Sequence, residues 1–436
     1  MRLAVVGAGW GGMAAAVRAA QAGHAVTVFE AARTLGGRAR SVAAAGADGQ
    51  PLALDNGQHI LIGAYTECLA LMRTVGVDVD AALLRLPLAL CYPDGSGLAL
   101  PDTAPPWDAL AGMARARGWS LGERLALLAR AARWRIAGFA CPPGASVAAL
   151  CAGLPPHLVR EFIDPLCVSA LNTPAAQACG ATFLRVLRDS LFAGRGGSNL
   201  LLPRASLGAL LPEPAAAWLQ ARGHGVLTGQ RVHGLAQQPD GGWQVDGTPF
   251  DAVLLATCAQ EAARLAGQAQ APAALQPALH GWAAQARALS FGAIATVYAM
   301  QPQARGPLLA RPMLALRSRA LRPAQFVFDR HQLGGPPGLL AFVVSAFEGE
   351  RHGLAAQVLE QAREDLGLAA LQPLQTVVEK RATFVCSPGL QRPPQHIAPR
   401  LLACGDYVAG PYPATLEGAV LHGGAAVQAV AGAARR

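Results

Sequence analysis

Lysine is almost missing from these 436 residues; Lys380 is the only one. Charged residues of every kind make up 14% of the chain, against roughly 25% in an average soluble domain. The formal net charge of +9 therefore rests almost wholly on arginine. A basic balance can serve nucleic acid or an anionic surface. No basic run is interleaved with aromatic residues, however, so no nucleic-acid partner is expected. The nine cysteines contain no Cys-x-x-Cys pair, which removes the usual signals for a zinc site or a redox dithiol. Their odd count and wide spacing point to free, buried thiols in a reducing compartment. No charge-free apolar run reaches the length of a membrane span. The chain starts Met-Arg-Leu-Ala-Val-Val and runs straight into glycines. That start reads as a first strand rather than a signal peptide, so a cytoplasmic location is expected. No internal repeat, metal-ligand cluster or Ser/His/Asp set is visible, and no metal is expected.

Apolar residues, by contrast, make up 52% of the chain, and the mean hydropathy is positive. A chain of this length suggests two or more lobes. It can bury a large core and still have apolar surface to spare, which suits an oily substrate or a membrane face.

The first motif lies at the N-terminus. Residues 2–6 form a short apolar run that reads as a buried parallel strand. Gly7-Ala8-Gly9-Trp10-Gly11-Gly12 follows, then an alanine-rich stretch of high helix propensity, with Gly23 placed as its C-terminal glycine. Ala25–Phe29 reads as a second strand that ends on Glu30. This is Gly-x-Gly-x-x-Gly in the context of strand, turn, helix, strand and acid, which predicts a Rossmann-type dinucleotide site. Gly7 permits the tight turn, Gly9 lets the backbone approach a pyrophosphate, and Gly12 lets helix and strand pack closely. The helix N-terminus offers free N–H groups and positive dipole to the phosphates. Glu30 lies where a carboxylate accepts bonds from the adenosine ribose, and it would repel a 2′-phosphate.

Two further segments resemble parts of the flavin amine oxidases and carotenoid desaturases. Arg33-Thr34-Leu35-Gly36-Gly37-Arg38 resembles the loop that wraps FAD in those enzymes, with the arginine able to pair with the pyrophosphate. Near the other end, Arg400–Cys404 reads as a strand, followed by Gly405-Asp406, a Gly/Pro-rich turn and a helix of small residues from about Leu416–Glu417. The resemblance places Asp406 beside the ribityl chain and aims that helix N-terminus at the flavin, where positive dipole favours an anionic reduced ring. Between them, residues 225–232 read as a strand leading to a hairpin through Asp240-Gly241-Gly242. The resemblance sets the backbone of Val232 against the adenine, although an ordinary strand residue fits as well. The FAD-binding domain is thus expected from both ends of the chain.

Four stretches carry a closer resemblance. They are Leu-Asp-Asn-Gly-Gln-His-Ile-Leu-Ile-Gly-Ala-Tyr at 54–65, Phe-Ile-Asp-Pro-Leu-Cys-Val-Ser-Ala-Leu-Asn-Thr at 162–173, Asn-Leu-Leu-Leu-Pro-Arg from 199, and Gly-Asp-Tyr-Val-Ala-Gly-Pro-Tyr-Pro-Ala-Thr-Leu-Glu-Gly-Ala-Val from 405. Over nearly its whole length the chain resembles the bacterial hydroxysqualene dehydroxylases, or squalene-associated FAD-dependent desaturases. One departure is Leu421-His422-Gly423, where a small Ser-Gly step is expected. The resemblance implies reduction of hydroxysqualene to squalene by hydride from reduced FAD, in hopanoid or triterpenoid precursor supply. The hydroxyl is allylic, so its loss leaves a delocalised cation, and the departing oxygen needs a proton. His59 is the first candidate for that acid, with a structural donor as the alternative, and Tyr412 the second. Asn56 and Gly57 are expected on the cofactor loop.

The fold expected is α/β: a discontinuous Rossmann-type FAD domain (1–85, 205–265 and 375–436) with a mixed α+β substrate domain (86–204 and 266–374). The first insertion reads as helical. In the second, residues 292–298, 325–329 and 339–347 read as strands. Their pocket should be apolar and take a C30 isoprenoid. Residues 115–137 hold six arginines with Trp119 and Trp134, which suits equally a peripheral contact with the inner face of the cell membrane or a solvated helix face packed on the core. No second Rossmann motif is present, so the electron donor is expected to be external. Two rivals remain: a desaturase or amine oxidase running hydride toward the flavin, and a carrier of lipidated proteins that has lost flavin. The intact glycine motif, Glu30 and Asp406 argue against the carrier.

Overall fold

The computed structural model describes residues 1–46, 50–192 and 194–434. The expected strand–helix–strand unit is present as Arg2–Val6, Trp10–Gln21 and Ala25–Glu30. Gly23 follows the helix with φ +81°, the left-handed conformation that closes helices at little steric cost. These strands sit in a six-stranded sheet in the order Gly225–Thr228, Ala25–Glu30, Arg2–Val6, Ala252–Leu255, Leu401–Ala403, His396–Ala398. The first five run parallel, and His396–Ala398 is antiparallel.

Side chains alternate across this sheet as strand geometry requires. Leu3, Val5, Val26, Val28, Leu254 and Leu402 face a core shared with the first helix, the closing helix Leu416–Ala434 and the helix Pro212–Gln220. Ala4, Val6, Val253, Leu255 and Leu401 face the opposite layer. That layer is a three-stranded meander and the helices Ala259–Gly267 and Gln276–Arg287. The first and closing helices approach closely because glycines meet backbone there. A Cβ on Gly11 would lie 3.0 Å from the Ala419 carbonyl oxygen, and one on Gly423 would lie 2.9 Å from the Ala15 nitrogen.

The second lobe is built on an antiparallel five-stranded sheet in the order Met313–Ala315, Phe326–Asp329, Leu339–Phe347, Phe291–Met300, Gln372–Phe384. One face packs on the helix Leu354–Leu366. The other packs on the helical segment between Trp107 and Leu191. The three strands read from the sequence in this region are all present. Every strand of the parallel sheet falls inside the three segments expected for the FAD domain.

Three details differ from expectation. The last strand of the second sheet runs on to Phe384, past the boundary placed at 374. The insertion 86–204 is not purely helical: it opens with the hairpin Ala89–Cys91 and Gly97–Ala99, and it ends on Leu200–Pro203, which pairs with Leu83–Leu86 and Leu61–Ile62. Such short strands carry too few residues to show a period. The strand at 225–232 stops at Thr228, because Gly229 turns the chain with φ +70°.

Candidate active site

A cavity of about 980 Å³ runs from the glycine turn of the first lobe to the helices of the second. Its volume lies near the top of the roughly 300–1,000 Å³ usual for small-molecule sites. Of the residues singled out from the sequence, all but Gly12 line it: Gly7, Gly9, Glu30, Gly37, Arg38, Asn56, Gly57, His59, Val232, Gly405, Asp406, Tyr412, Leu416 and Glu417.

Gly12 stands behind the turn, and its exclusion from the wall fits the packing role. A Cβ there would strike the Gly7 carbonyl oxygen and meet the Ala256 Cβ at 3.0 Å. Gly7 has φ +109°, and a Cβ on it would lie 2.7 Å from the Ala256 oxygen. Gly9 is different. Its nearest protein neighbours to a built Cβ are the Gly36 oxygen at 3.9 Å and the Gly37 Cα at 4.0 Å. The open side of Gly9 faces the cavity, so backbone can approach a ligand there.

Glu30 closes this end. Its carboxylate accepts the Ala8 and Ala32 N–H groups, both at 2.8 Å, which pins it beside the glycine turn. Val232 is buried at the same rim. Its carbonyl accepts a bond from Arg264 Nη2 at 2.9 Å, and Glu261 holds that guanidinium in turn.

The middle of the cavity joins residues far apart in sequence. Arg38 forms an ion pair with Asp406 and donates to the Ala382 carbonyl at 2.9 Å. Asn56 is buried and fastens the two cofactor loops together. Its Nδ2 donates to the Arg38 carbonyl at 2.9 Å, and its Oδ1 accepts the Arg40 N–H at 3.0 Å. Behind it, Tyr298 donates to the Asp55 carbonyl at 2.8 Å and accepts from Gln58 Nε2 at 2.8 Å. Arg330 Nη1 donates to Gln58 Oε1 at 3.1 Å. Asp55 is buried, and that burial pushes its carboxyl up to about 6, against the opposing pull of the Leu207 N–H and Arg330.

His59 lies next to Gly57 on this loop. Its Nδ1 is 3.3 Å from the Gly57 carbonyl oxygen. A carbonyl only accepts, so that bond requires a proton on Nδ1. Burial lowers the His59 pKa; the Gly57 carbonyl raises it and Arg38 lowers it further. The ring is therefore neutral at pH 7, with Nε2 as its uncommitted atom.

Tyr412 faces a different partner. Its hydroxyl donates to Asp189 Oδ2 at 2.9 Å. Burial and that carboxylate raise its pKa, which weakens it as an acid. The backbone around it is strained, with Tyr412 at φ +54° and Ala414 at φ +58°. Such strain concentrates at functional turns.

That turn sets the start of the closing helix. Thr415 Oγ1 accepts the Gly418 N–H at 3.0 Å as an N-terminal cap and donates to the Tyr412 carbonyl at 2.7 Å. The N-terminal residues Leu416 and Glu417 thereby reach the cavity wall. The Glu417 carboxylate does not serve the cavity. It accepts the Glu67 and Cys68 N–H groups, each at 2.9 Å, at the start of the helix Thr66–Thr74. Its charge is spent on the N-terminus of that neighbouring helix.

Beyond this, the cavity becomes apolar, with Leu88, Leu166, Leu187, Leu200, Phe326 and Val343 in its wall. A separate small pocket of about 50 Å³ shares Leu88, Leu166, Leu200 and Phe326 with this wall and is lined further by Leu90, Leu98 and Phe162. Asn172 bolts this region to the second sheet. Its Oδ1 accepts the Ala346 N–H at 2.6 Å, and its Nδ2 donates to Thr383 Oγ1 at 2.9 Å. Asn172 lies in one of the quoted motifs but carried no assigned role there. Asp189, Gln58 and Arg330 were also not foreseen, because their partners come from remote segments.

Residues 10–431 match the family described as flavin containing amine oxidoreductase. The chain belongs to that family. It is 29% identical to a hydroxysqualene dehydroxylase of Rhodopseudomonas palustris, over 99% of this chain and 98% of that one. It is 25% identical to a protein of the same name from Sinorhizobium fredii, over 96% and 95%. An oxidoreductase of known structure from Methanosarcina mazei superposes with a TM-score of 0.74 at 19% identity, covering 99% of this chain and all of that one. The protein is an FAD-dependent oxidoreductase, in line with its flavoprotein family. The open face of Gly9, the Glu30 carboxylate and the capped helix start at Leu416 fit FAD along the cavity.

The other expectations from the sequence divide. All nine cysteines are free, but Cys91, Cys141, Cys179 and Cys258 are only partly buried. No helix among the described residues is long and apolar enough to cross a membrane. Trp119 and Trp134 are buried, at 5% and 9% exposure, so neither can touch a bilayer. Trp134 is on the inward face of its helix and Trp119 packs inward from the turn before it, a distinction that spacing alone does not make.

Proposed function

We propose that this protein removes the allylic hydroxyl of hydroxysqualene reductively, giving squalene. The balance is simple: the C–OH bond breaks, a hydride forms the new C–H bond, and a proton accompanies the oxygen out as water. Bound FAD, once reduced by an external donor, supplies the hydride. The chain's own residues orient the substrate and handle the proton. The apolar walls from Leu88 to Val343 hold the isoprenoid and exclude water. His59, on the loop that Asn56 fastens to the cofactor segment, is the group assigned to the proton: its imidazolium form, which burial keeps scarce, donates from Nε2 while Nδ1–H stays on the Gly57 carbonyl. Arg38 and Asp406 and the Leu416 helix start hold the cofactor.

The observation that carries this reading is the continuity of the nucleotide cradle with an apolar arm, in a chain similar over its full length to enzymes of that name. A substrate of this class resides in membranes, so the protein works from the inner face of the cell membrane as a peripheral enzyme.

The test is anaerobic. Protein with dithionite-reduced flavin receives hydroxysqualene in detergent, and the oxidised-flavin band is followed while products are extracted. Flavin reoxidation with squalene formed is the expected result. A flavin that stays reduced, while oxidised enzyme bleaches with a more saturated polyene or an amine, would establish a desaturase or amine oxidase instead.

A further inference from the structure

Among the described residues, seven large apolar side chains are exposed, and five of them fall between residues 107 and 136. They are Trp107 at 67%, Leu110 at 42%, Leu121 at 71%, Leu125 at 56% and Ile136 at 87% exposure. Two helices carry them, Trp107–Arg115 and Leu121–Ile136. At ~100° per residue, Leu121, Leu125 and Ile136 fall within about 60° of one another on the second helix. Leu127 and Trp134 lie on its other side and are buried. Met113, Trp119, Leu127 and Trp134 all join one core cluster, so each helix turns its exposed apolar residues away from that core. This helix pair is apolar on the side facing solvent, the reverse of an ordinary surface helix.

The charge around the stripe has one sign. Arg115, Arg117, Arg133 and Arg135 are exposed and form no ion pair among the described residues. Arg124 and Arg130 are engaged elsewhere: Arg124 donates to the Ala114, Ala116 and Trp119 carbonyls, and Arg130 to those of Leu150 and Ala152. The acidic residues of the segment are withdrawn. Asp108 is buried, and Glu123 caps its helix and pairs with His157 at 2.8 Å.

The stripe also lies over the apolar end of the cavity. Leu98 and Phe162 line the small pocket that shares its wall with the cavity. A Cβ on Gly112 of the first helix would lie 3.4 Å from Leu98 Cδ1, and the Phe162 ring meets Trp119 edge-on at 5.5 Å.

We infer that the outer face of the helix pair 107–136 docks on an anionic phospholipid bilayer, with Trp107, Leu110, Leu121, Leu125 and Ile136 entering the acyl boundary and Arg115, Arg117, Arg133 and Arg135 meeting the headgroups. Apolar residues flanked by unpaired arginines are the pattern of an interfacial helix. This surface stands independently of the reaction proposed above.

The test is vesicle flotation of the flavin-loaded protein. Vesicles of phosphatidylcholine with phosphatidylglycerol should carry it, and pure phosphatidylcholine should carry far less. Replacing the four arginines by Gln should weaken binding about five-fold per site. Replacing Trp107, Leu121, Leu125 and Ile136 by Ser should abolish it, while Leu227→Ser and Leu321→Ser, at exposed apolar sites elsewhere, should not change it. Exposed positions tolerate such changes within about 0.5 kcal/mol. As a check without variants, amide exchange in 107–136 of the unaltered protein should slow when anionic vesicles are added. No flotation, undiminished flotation of the serine variant, or protection confined to other segments would overturn the inference. So would a dimer that the serine variant disrupts in the absence of lipid binding. Turnover of hydroxysqualene in detergent micelles separates the two proposals: it should survive in the docking variants, and its absence in the unaltered protein would count against the reaction alone.

Discussion

Gly9 and Gly12 lie three residues apart in one motif, yet alanine at each should fail for a different reason. At Gly12 the added methyl meets the Gly7 carbonyl oxygen and the Ala256 side chain, which are backbone and packed core. Helix and strand must separate, at the cost of about 1–3 kcal/mol typical of overpacking. In a chain of this length 1 kcal/mol moves Tm by about 1 °C. At Gly9 the methyl meets no protein atom closer than 3.9 Å, and the residue has φ −74°, which alanine adopts freely. Gly9→Ala should therefore leave the flavin-free protein unchanged or up to about 1 kcal/mol more stable. The methyl projects instead into the space the pyrophosphate would take, and FAD affinity should fall by roughly 5–150-fold for a clash of about 1–3 kcal/mol. Two measurements decide it: Tm without flavin, and the rise in Tm when FAD is added, which amounts to about 2.7 kcal/mol of stabilisation at one hundred times Kd. Gly12→Ala should lose stability in the first. Gly9→Ala should keep the first and lose the second. Wild-type FAD affinity in Gly9→Ala, or wild-type stability in Gly12→Ala, would refute the assignment of roles.

Further outcomes follow from the charged groups. If His59 gives up the proton, turnover with pre-reduced flavin should fall as pH rises through a value below 6.5, because burial holds its protonated form scarce. His59→Ala should flatten that limb, and a profile unchanged in the variant removes the role. Asp55 is pushed up to about 6 in the fold, above its unfolded value near 3.9. The folded state thus binds the proton more tightly. The stability Asp55 contributes is fully present below about pH 4 and is lost as pH rises through 6, by up to about 3 kcal/mol. Asp55→Asn should remove that slope from denaturant titrations between pH 4 and 7, and an identical slope in the variant would contradict it. Glu417→Leu strands the Glu67 and Cys68 N–H groups in a buried place, which should cost about 2–4 kcal/mol. Calorimetry should show that loss, with Glu417→Gln intermediate.

What the sequence determined by itself is what lies close together in the chain. The unit from Arg2 to Glu30 is legible because strand, turn, helix and acid follow one another within one motif, and each glycine answers a local steric demand. The long strands of the second sheet are legible as apolar runs between turns. The family likeness added the residues at the far end, and the fold brings them to the same cavity.

Tertiary structure decided the rest. The pairing of Arg38 with Asp406, the reach of Glu417 to another helix and the hold of Asn172 on the second sheet join positions hundreds of residues apart, and no local pattern fixes such partners. The same holds for exposure. Tryptophan beside arginine left a membrane contact and a helix face packed on the core equally open at 115–137, and Trp119 and Trp134 are both core. A period shows that a helix has two faces, but only the packing of the neighbouring elements settles which face meets solvent. Here that packing turns Leu121, Leu125 and Ile136 outward and closes Trp119 against Phe162.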